Sequence, residues 1–495
     1  MMLLLLLVLP LAGAALLGMV PRLGSRFAVA WAALPVALVA AIGSRQAEVK
    51  AEWSLQWIPD AGINLAFSVD GTSWIFLLLT CLVTWFSVAV SGRLKIGDRA
   101  YFALILVLES MLFGVFTARH FIPWFLCWEM TLIPSYLLIR LWGGDGAPRA
   151  ALRFFVVTLA GGVCMLLGFL ALQLSVGTMD FAELSRLAAS RELAARAGGQ
   201  PMLTLVAVAV FLGLAVKIPV VPFHSWLPDA YAEAPSPVTM LLTGLLSKMG
   251  VYALLRVFLP IFPEVLPNLA PWLSALAVTT VLFGSLAALA QTDLKRILAY
   301  SSVNHLGYCV LAVAAVASAQ TDRVAMASAV SGVVLQAFNH GIIASVLFFS
   351  IAILESRSGG LRGLTDFGGL RARMPVFCGI MGIALFASIG LPGLSGFIGE
   401  FLIFNGVFGL APWMAAVSVI GLLLTAVFLL RLIRKVFHGP LPPAMERWTD
   451  LTARERWLFA PAIALVVIPG LWPQSLLQFI NADTLRLLET LNPLP

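Results

Sequence analysis

Five ionisable side chains stand where a polypeptide least easily keeps a charge. Glu109, Glu129, Lys217, Lys248 and Glu400 each lie inside a long apolar run, as Lys248 does in LLSKMGVYALLR. A charge at the bilayer centre costs about 2.5–3.5 kcal/mol on insertion scales, so such residues mark relays, ion pathways or buried ion pairs. One of them alone would fit a packing ion pair. Two lysines and three glutamates together have the composition of a proton relay, because a carboxylate that moves, or changes its own protonation, alters a nearby lysine's hold on its proton.

His305 (SSVNHLGY) and His340 (QAFNHGII) also fall in apolar runs. Either alone reads equally as a satisfied core histidine, and axial haem ligation has no supporting second pair. A neutral imidazole both donates and accepts, which suits a relay between Lys248 and Glu400. The expected path runs from Glu400 through His340 and His305 to Lys248, lined by water. His224 and His438 sit at span ends.

Two of the charges stand at helix breaks. In AVKIPVVPFHSWLPDA, Pro219 and Pro222 each remove a backbone donor and clash with the preceding turn, freeing carbonyls beside Lys217 for its ammonium or for water. In ASIGLPGLSGFIGEF, Gly390, Pro392 and Gly393 interrupt a second span two turns before Glu400. Prolines kink membrane helices routinely. Two breaks that each carry an intramembrane charge match the discontinuous helices of ion sites in transporters.

The elements that position these residues follow from composition. Of 495 residues, 61% are apolar and 11% charged, against about 45–50% and 25% in soluble domains. Lipid must be the solvent for much of the chain. At about 20 apolar residues per crossing, the chain divides into spans near 2–20, 27–43, 70–92, 100–118, 120–140, 153–176, 202–224, 236–258, 271–290, 297–318, 325–355, 375–407, 411–436 and 457–474. The fold class is therefore an all-α polytopic membrane protein of about fourteen helices in a single transmembrane domain, 1–495. The broken spans are the seventh and twelfth. Spans 1–3 (about 1–92) precede spans 4–8 (about 100–258) and 9–13 (about 271–436), and the last span is about 457–474. Five helices make an odd number of crossings, so the second set enters from the opposite side as an inverted repeat, with one break in the fourth helix of each. This rests on helix order, since residue similarity between the halves is weak.

The net charge of +7 reflects topology. Roughly 20 of the 31 basic residues fall on alternate loops, from Arg22 and Arg26 through Arg93, Arg140, Lys295 and Arg362 to Arg456, which the positive-inside rule places in the cytoplasm. The other face carries Arg45, Lys50, Arg119, Arg186, Arg191, Arg196, Arg256, Arg323 and Arg486. Both termini then lie on the periplasmic side, and nucleic acid is not a partner. Met1–Val20 reads as the first helix rather than a signal peptide. Segment 44–68 is too polar to span and is expected at the outer interface; 177–201 reads as a solvated outer helix or loop. Cys81, Cys127, Cys164, Cys309 and Cys378 lie in apolar runs without C-x-x-C spacing and read as packing residues, so no metal or redox centre is expected in this chain.

The segments FLCWEMTLIPSYLLIRLWGG, VKIPVVPFHSWLPDAYAEAPSP, LLSKMGVYALLR, QTDLKRILAYSSVNHLGY and LPGLSGFIGEF resemble the M-type (chain 4) antiporter-like membrane subunits of respiratory complex I, over nearly the whole chain. The resemblance implies fourteen helices with spans seven and twelve discontinuous. It implies that Glu129 and Lys217 pair, that Lys248, His305 and His340 carry protons, that Glu400 ends the relay and that Glu109 is an auxiliary acid. The L- and N-type siblings and Mrp-type antiporter subunits usually have lysine where this chain has Glu400, and the L type adds a long lateral helix. EAPSPVTM resembles the photosynthetic NDH-1 version as much as the respiratory one, and a membrane-bound hydrogenase complex offers an equivalent place. The implied partners are sibling membrane subunits and lipid in an energy-transducing membrane, the bacterial inner membrane. NAD, flavin, iron–sulfur clusters and quinone are implied for partner subunits and none for this chain. Two rivals remain: a stand-alone or Mrp-type cation/proton antiporter, and a membrane anchor whose charges only pack helices.

Overall fold

A computed structural model describes residues 2–44, 51–59, 62–319 and 322–491. Arg45 and Lys50, assigned above to the sparsely basic face, lie outside the described residues. The first helices are α1 (Met2–Met19), α2 (Ser25–Ser44), α3 (Gly71–Leu94), α4 (Arg99–Thr117), α5 (Phe121–Trp142) and α6 (Ala147–Val176). The short α7 (Phe181–Ala189) and α8 (Leu193–Arg196) follow, then the seventh span, α9 (Gln200–Lys217), and, beyond the Pro219–Pro222 break, the short α10 (Leu227–Glu233). Then come α11 (Ser236–Ile261), α12 (Leu266–Ala290), α13 (Leu294–Ser318) and α14 (Arg323–Ser358). The twelfth span is α15 (Pro375–Ile389) plus α16 (Ser395–Leu410), followed by α17 (Pro412–Phe437), α18 (Ala453–Leu471) and α19 (Gln474–Leu491).

Among the described residues 12 helices are long and apolar enough to cross a membrane singly. The halves α15 and α16 are each too short, and α18 and α19 form a pair bent by 67°. With these included, the helices match the expected spans in order, with shifted ends.

Two elements differ from the sequence expectation. Segment 44–68 contains an antiparallel hairpin, β1 (Ala51–Ile58) and β2 (Ile63–Val69), with Trp53 opposite Phe67. The chain also continues past the last span as the amphipathic α19, whose Asp483 accepts from the Thr72 amide at 2.7 Å at the start of α3.

Depth within the bundle separates the helices. The most apolar windows of α11 and α14 are wholly buried and that of α13 nearly so, whereas those of α1, α2 and α17 are no more than about a third buried. Glycines let the central helices touch. A Cβ on Gly332 would lie 2.7 Å from the Ile403 backbone, and one on Gly399 2.9 Å from that of Gln336, so α14 and α16 meet nearly backbone to backbone. Lys248, His305 and His340 sit on the three buried helices, α11, α13 and α14.

The two breaks are built differently. After α9, the Val220 amide reaches back to the Ala215 carbonyl (2.8 Å), the Val221 amide donates to Thr280 Oγ1 (3.0 Å), and the Trp226 indole donates to the Val216 carbonyl (2.9 Å). Ile218, Pro219 and Val220 are buried there. After α15, Gly390 adopts φ +83°, and the Gly390 and Leu391 amides return to the Ala387 and Phe386 carbonyls at 3.2 and 3.0 Å, a Schellman ending that favours glycine. Leu391 beyond it is 47% exposed, so the second break opens on the outside of the subunit.

Candidate functional site

In the first broken span Lys217 is the last residue of α9 and is 2% exposed. Its Nζ lies 3.5 Å from Thr131 Oγ1 and 5.4 Å from the centroid of the Trp128 ring. The freed Val216 carbonyl does not receive the ammonium, contrary to the sequence expectation, because the Trp226 indole occupies it. Glu129 lies within electrostatic reach of Lys217, yet neither carboxylate oxygen has a hydrogen-bond partner. The carboxylate instead overlies Gly162 of α6, where an added Cβ would come within 1.9 Å of Oε1. The break itself packs on α11, since a Cβ on Gly250 would meet the Ile218 side chain at 2.4 Å.

Lys248 stands at the middle of α11, between π-helical turns at Leu242–Leu246 and Leu254–Phe258. Such widened turns alter the backbone ladder and recur at functional sites. Its Nζ donates to the Thr243 carbonyl at 2.5 Å and meets His340 Nδ1 at 2.6 Å. The His340 and His305 ring centroids are 5.3 Å apart. His305 Nδ1 faces Glu400 Oε1 at 3.1 Å, and its Nε2 faces Ser388 Oγ at 3.1 Å. Glu400 lies over Gly390, where a Cβ would stand 2.6 Å from Oε2 and displace the carboxylate. Pro392 and Gly393 complete the second break, and Gly470 of α18 packs against the Gly393 carbonyl.

The geometric order is thus Lys248, His340, His305, Glu400, with the histidines in the reverse of the order expected from sequence. The reason is rotational: His340 on α14 turns toward α11, and His305 on α13 turns toward the α16 break. Lys248–His340 and His305–Glu400 also make direct contacts where a water-lined path was expected. Glu109 is fully buried with both carboxylate oxygens unpartnered and lies within electrostatic reach of Cys81, outside this row. His224, which contacts Phe283 and Tyr300, stays at the edge of the first break.

Sequence reading missed the supporting groups Thr131, Gly162, Thr243, Ser388 and Gln336, whose Nε2 lies 3.5 Å from His305 Nδ1. Thr131 could have been flagged as a hydroxyl in an apolar span; Thr243 acts through its backbone carbonyl, and the other contacts depend on which helices face each other.

The bent and broken helices around a buried row of bases and acids define an ion-transporter type of membrane fold. The family model described as NADH:quinone oxidoreductase/Mrp antiporter, TM, matches residues 118–425. The chain is 33% identical over 497 residues to subunit M of NADH-quinone oxidoreductase from Rhodobacter capsulatus, covering 97% of this chain and 95% of that one. It is 32% identical over 501 residues to NAD(P)H-quinone oxidoreductase chain 4 from Prochlorococcus marinus (strain MIT 9215), covering 97% and 91%. A chain of respiratory complex I from Thermus thermophilus with bound NADH superposes with a TM-score of 0.88 at 28% identity, covering 99% of this chain and all of that one. The protein belongs to the antiporter-like membrane-subunit family shared by NADH:quinone oxidoreductases and Mrp antiporters, on its M-type (chain 4) branch.

Proposed function

We propose that this chain translocates protons as the M-type subunit of an NADH:quinone oxidoreductase, driven by quinone reduction in other subunits and holding no redox centre itself. The single observation that carries the reading is the buried row Lys248–His340–His305–Glu400. NAD, flavin, iron–sulfur clusters and quinone belong to partner subunits, among them sibling antiporter-like chains. The exposed break at Leu391 supports a neighbour or water against α15 and α16, since open backbone at membrane depth is tolerated only beside protein or water. The Lys/Arg bias of the loops supports an orientation with both termini on the periplasmic side of a bacterial inner membrane.

The chemistry follows from the donor sets. When Lys248 is charged, it donates to an unprotonated His340 Nδ1; when it is neutral, Nδ1–H donates back, so the contact survives the transfer of one proton. His305 and Glu400 share a proton in the same way. The gap between the imidazoles is closed by a bridging water or by rotation of a ring. At the first break, the unsatisfied Glu129 carboxylate is held near Lys217 without being bonded to it. A charge change arriving along the membrane arm shifts Glu129, which resets Lys217 and passes the signal to α11 through the Ile218–Gly250 contact. Glu109 serves as an auxiliary acid. The five-helix halves, about 100–258 and 271–436, form the inverted repeats that bring one break to each site. Glu400, where Mrp-type and sibling subunits usually carry lysine, favours the M-type reading over the antiporter alternative; the photosynthetic and hydrogenase versions are separated by the electron-input subunits that copurify.

The test is the Lys217→Ala complex, purified with its partner subunits identified by mass spectrometry and reconstituted in proteoliposomes. Assembly should survive, while pumping and coupled quinone reduction are largely lost. Lys217→Arg should fail as well, because a guanidinium does not give up its proton. Normal pumping by an assembled Lys217→Ala complex would remove the residue from the relay.

A further inference from the structure

A cavity of about 160 Å³ opens on the hairpin face, outside the row just described. It lies between the end of α11, the turn joining α4 to α5, α7 and α19, and its walls include Arg119, Arg256, Arg486, Ser185 and Tyr252. At about 30 Å³ per water and with polar walls, it has room for several waters.

Tyr252 lines this chamber and stands on the same helix as Lys248. It follows Lys248 by one turn of α11, a rise of about 6 Å toward the hairpin face. Its ring is packed by Phe76 and Phe116, at centroid distances of 5.3 and 5.2 Å. Its hydroxyl donates to the Phe116 carbonyl at 2.9 Å and lies 3.0 Å from Ser73 Oγ. The Ser73 amide donates to Asp70 Oδ1 at 2.9 Å, and Asp70 pairs with Arg256. Behind the wall residue Arg486, Asp483 pairs with it at 3.2 Å and accepts from the Thr72 amide at 2.7 Å. Burial pushes the Asp70 carboxyl upward, but Arg256 and the Ser73 hydrogen bonds outweigh it and hold the group below its ordinary value. Asp70 thus stands behind the chamber wall, paired to the lining residue Arg256.

A network that served only to tie helix ends together would have no need of a water-sized chamber against the phenol. We infer that the chamber is the port through which Lys248 exchanges its proton with water on the hairpin face, and that Tyr252 is the gate. Lys248 gives one proton to a water on the bundle side of the phenol. The phenol oxygen takes a proton from that water as its own O–H proton leaves to a chamber water, so Tyr252 ends neutral. Asp70 and Asp483 attract the departing charge. Ser73 positions the hydroxyl. The inference rests on the relay reading of Lys248 and gives that residue an exit distinct from Glu400.

Three variants of the assembled complex in sealed vesicles test it together. Tyr252→Phe keeps the ring packing and should slow pumping on the order of tenfold or more, as loss of a proton-transfer group does. Ser185→Cys, treated with a membrane-impermeant cationic thiol reagent, should lose pumping when the reagent is on the hairpin side and keep it when the reagent is on the opposite side. A purely structural Tyr252 would not produce that side dependence. Lys248→Met, measured in parallel, should not pump. If Lys248→Met pumps normally, the relay reading itself is wrong. If it is dead while Tyr252→Phe pumps at the parent rate, or while Ser185→Cys resists the reagent or pumps after modification, the port is overturned and the relay stands.

Discussion

The two broken helices hold their charges in opposite ways. At the first break, among the described residues, the Glu129 carboxylate has no hydrogen-bond partner, and the Lys217 ammonium has a threonine hydroxyl at 3.5 Å and the face of Trp128. At the second, Glu400 contacts His305 at 3.1 Å, within a row that reaches Lys248 through His340. The breaks differ beside their charges: residues Ile218–Val220 of the first are buried against α11, with Pro222 exposed beyond them, while the second ends in a glycine Schellman turn with Leu391 exposed directly after it. A loosely held pair responds to small movements, because its interaction energy varies steeply with distance where water is excluded. A hydrogen-bonded row transmits protons but resists displacement. On the proposed function, one motif, a charge at a break, would serve as a sensor at the first break and as part of a wire at the second.

The largest effect that should break this comparison lies at the wire's end. Glu400→Lys places an ammonium against His305 in a chain that already holds Lys217 and Lys248, and should depress pumping on the order of a hundredfold. Glu400→Gln, which removes only the exchangeable proton, should cost less. Pumping rates of both complexes in proteoliposomes decide the order, and equal losses would argue for packing alone.

A smaller effect sharpens the other side. If Glu129 senses by charge, Glu129→Gln should lower pumping well below Glu129→Asp. Gly162→Ala adds a methyl where Oε1 now sits, an overpacking of about 1–3 kcal/mol, and should impair pumping until the shorter Glu129→Asp side chain is added to relieve it. Rescue in the double variant would tie the glycine to the carboxylate; no rescue would assign Gly162 to packing between α6 and its neighbours.

Much of this was legible in the sequence because it violates the local rule. Glu129, Lys217, Lys248 and Glu400 are anomalies in apolar runs, and Pro219 and Gly390 are anomalies in helices, so no partner need be known to find them. The hairpin was missed although Trp53, Leu55 and Trp57 alternate with Ser54 and Gln56, and apolar and polar residues alternate again in INLAFSV, because a span count reads such a stretch only as too polar. Helix α19 was missed for the same reason: Leu476, Ile480, Leu487 and Leu488 are buried on one face, a pattern that an apolar-run criterion averages away. The order of the two histidines, the π turns beside Lys248, and the roles of Gly162 and Ser388 were not legible. They depend on the rotation of one helix against another, which no local stretch encodes.

The central claim is that His340 and Glu400 act in series on one proton path, and a double-mutant cycle in pumping tests it most directly. His340→Gln, Glu400→Gln and the double variant are each reconstituted in proteoliposomes, and protons moved per electron pair are measured. Residues of one wire are strongly non-additive, so the double variant should pump no worse than the poorer single variant. Losses that multiply, as for independent sites, would contradict a shared path.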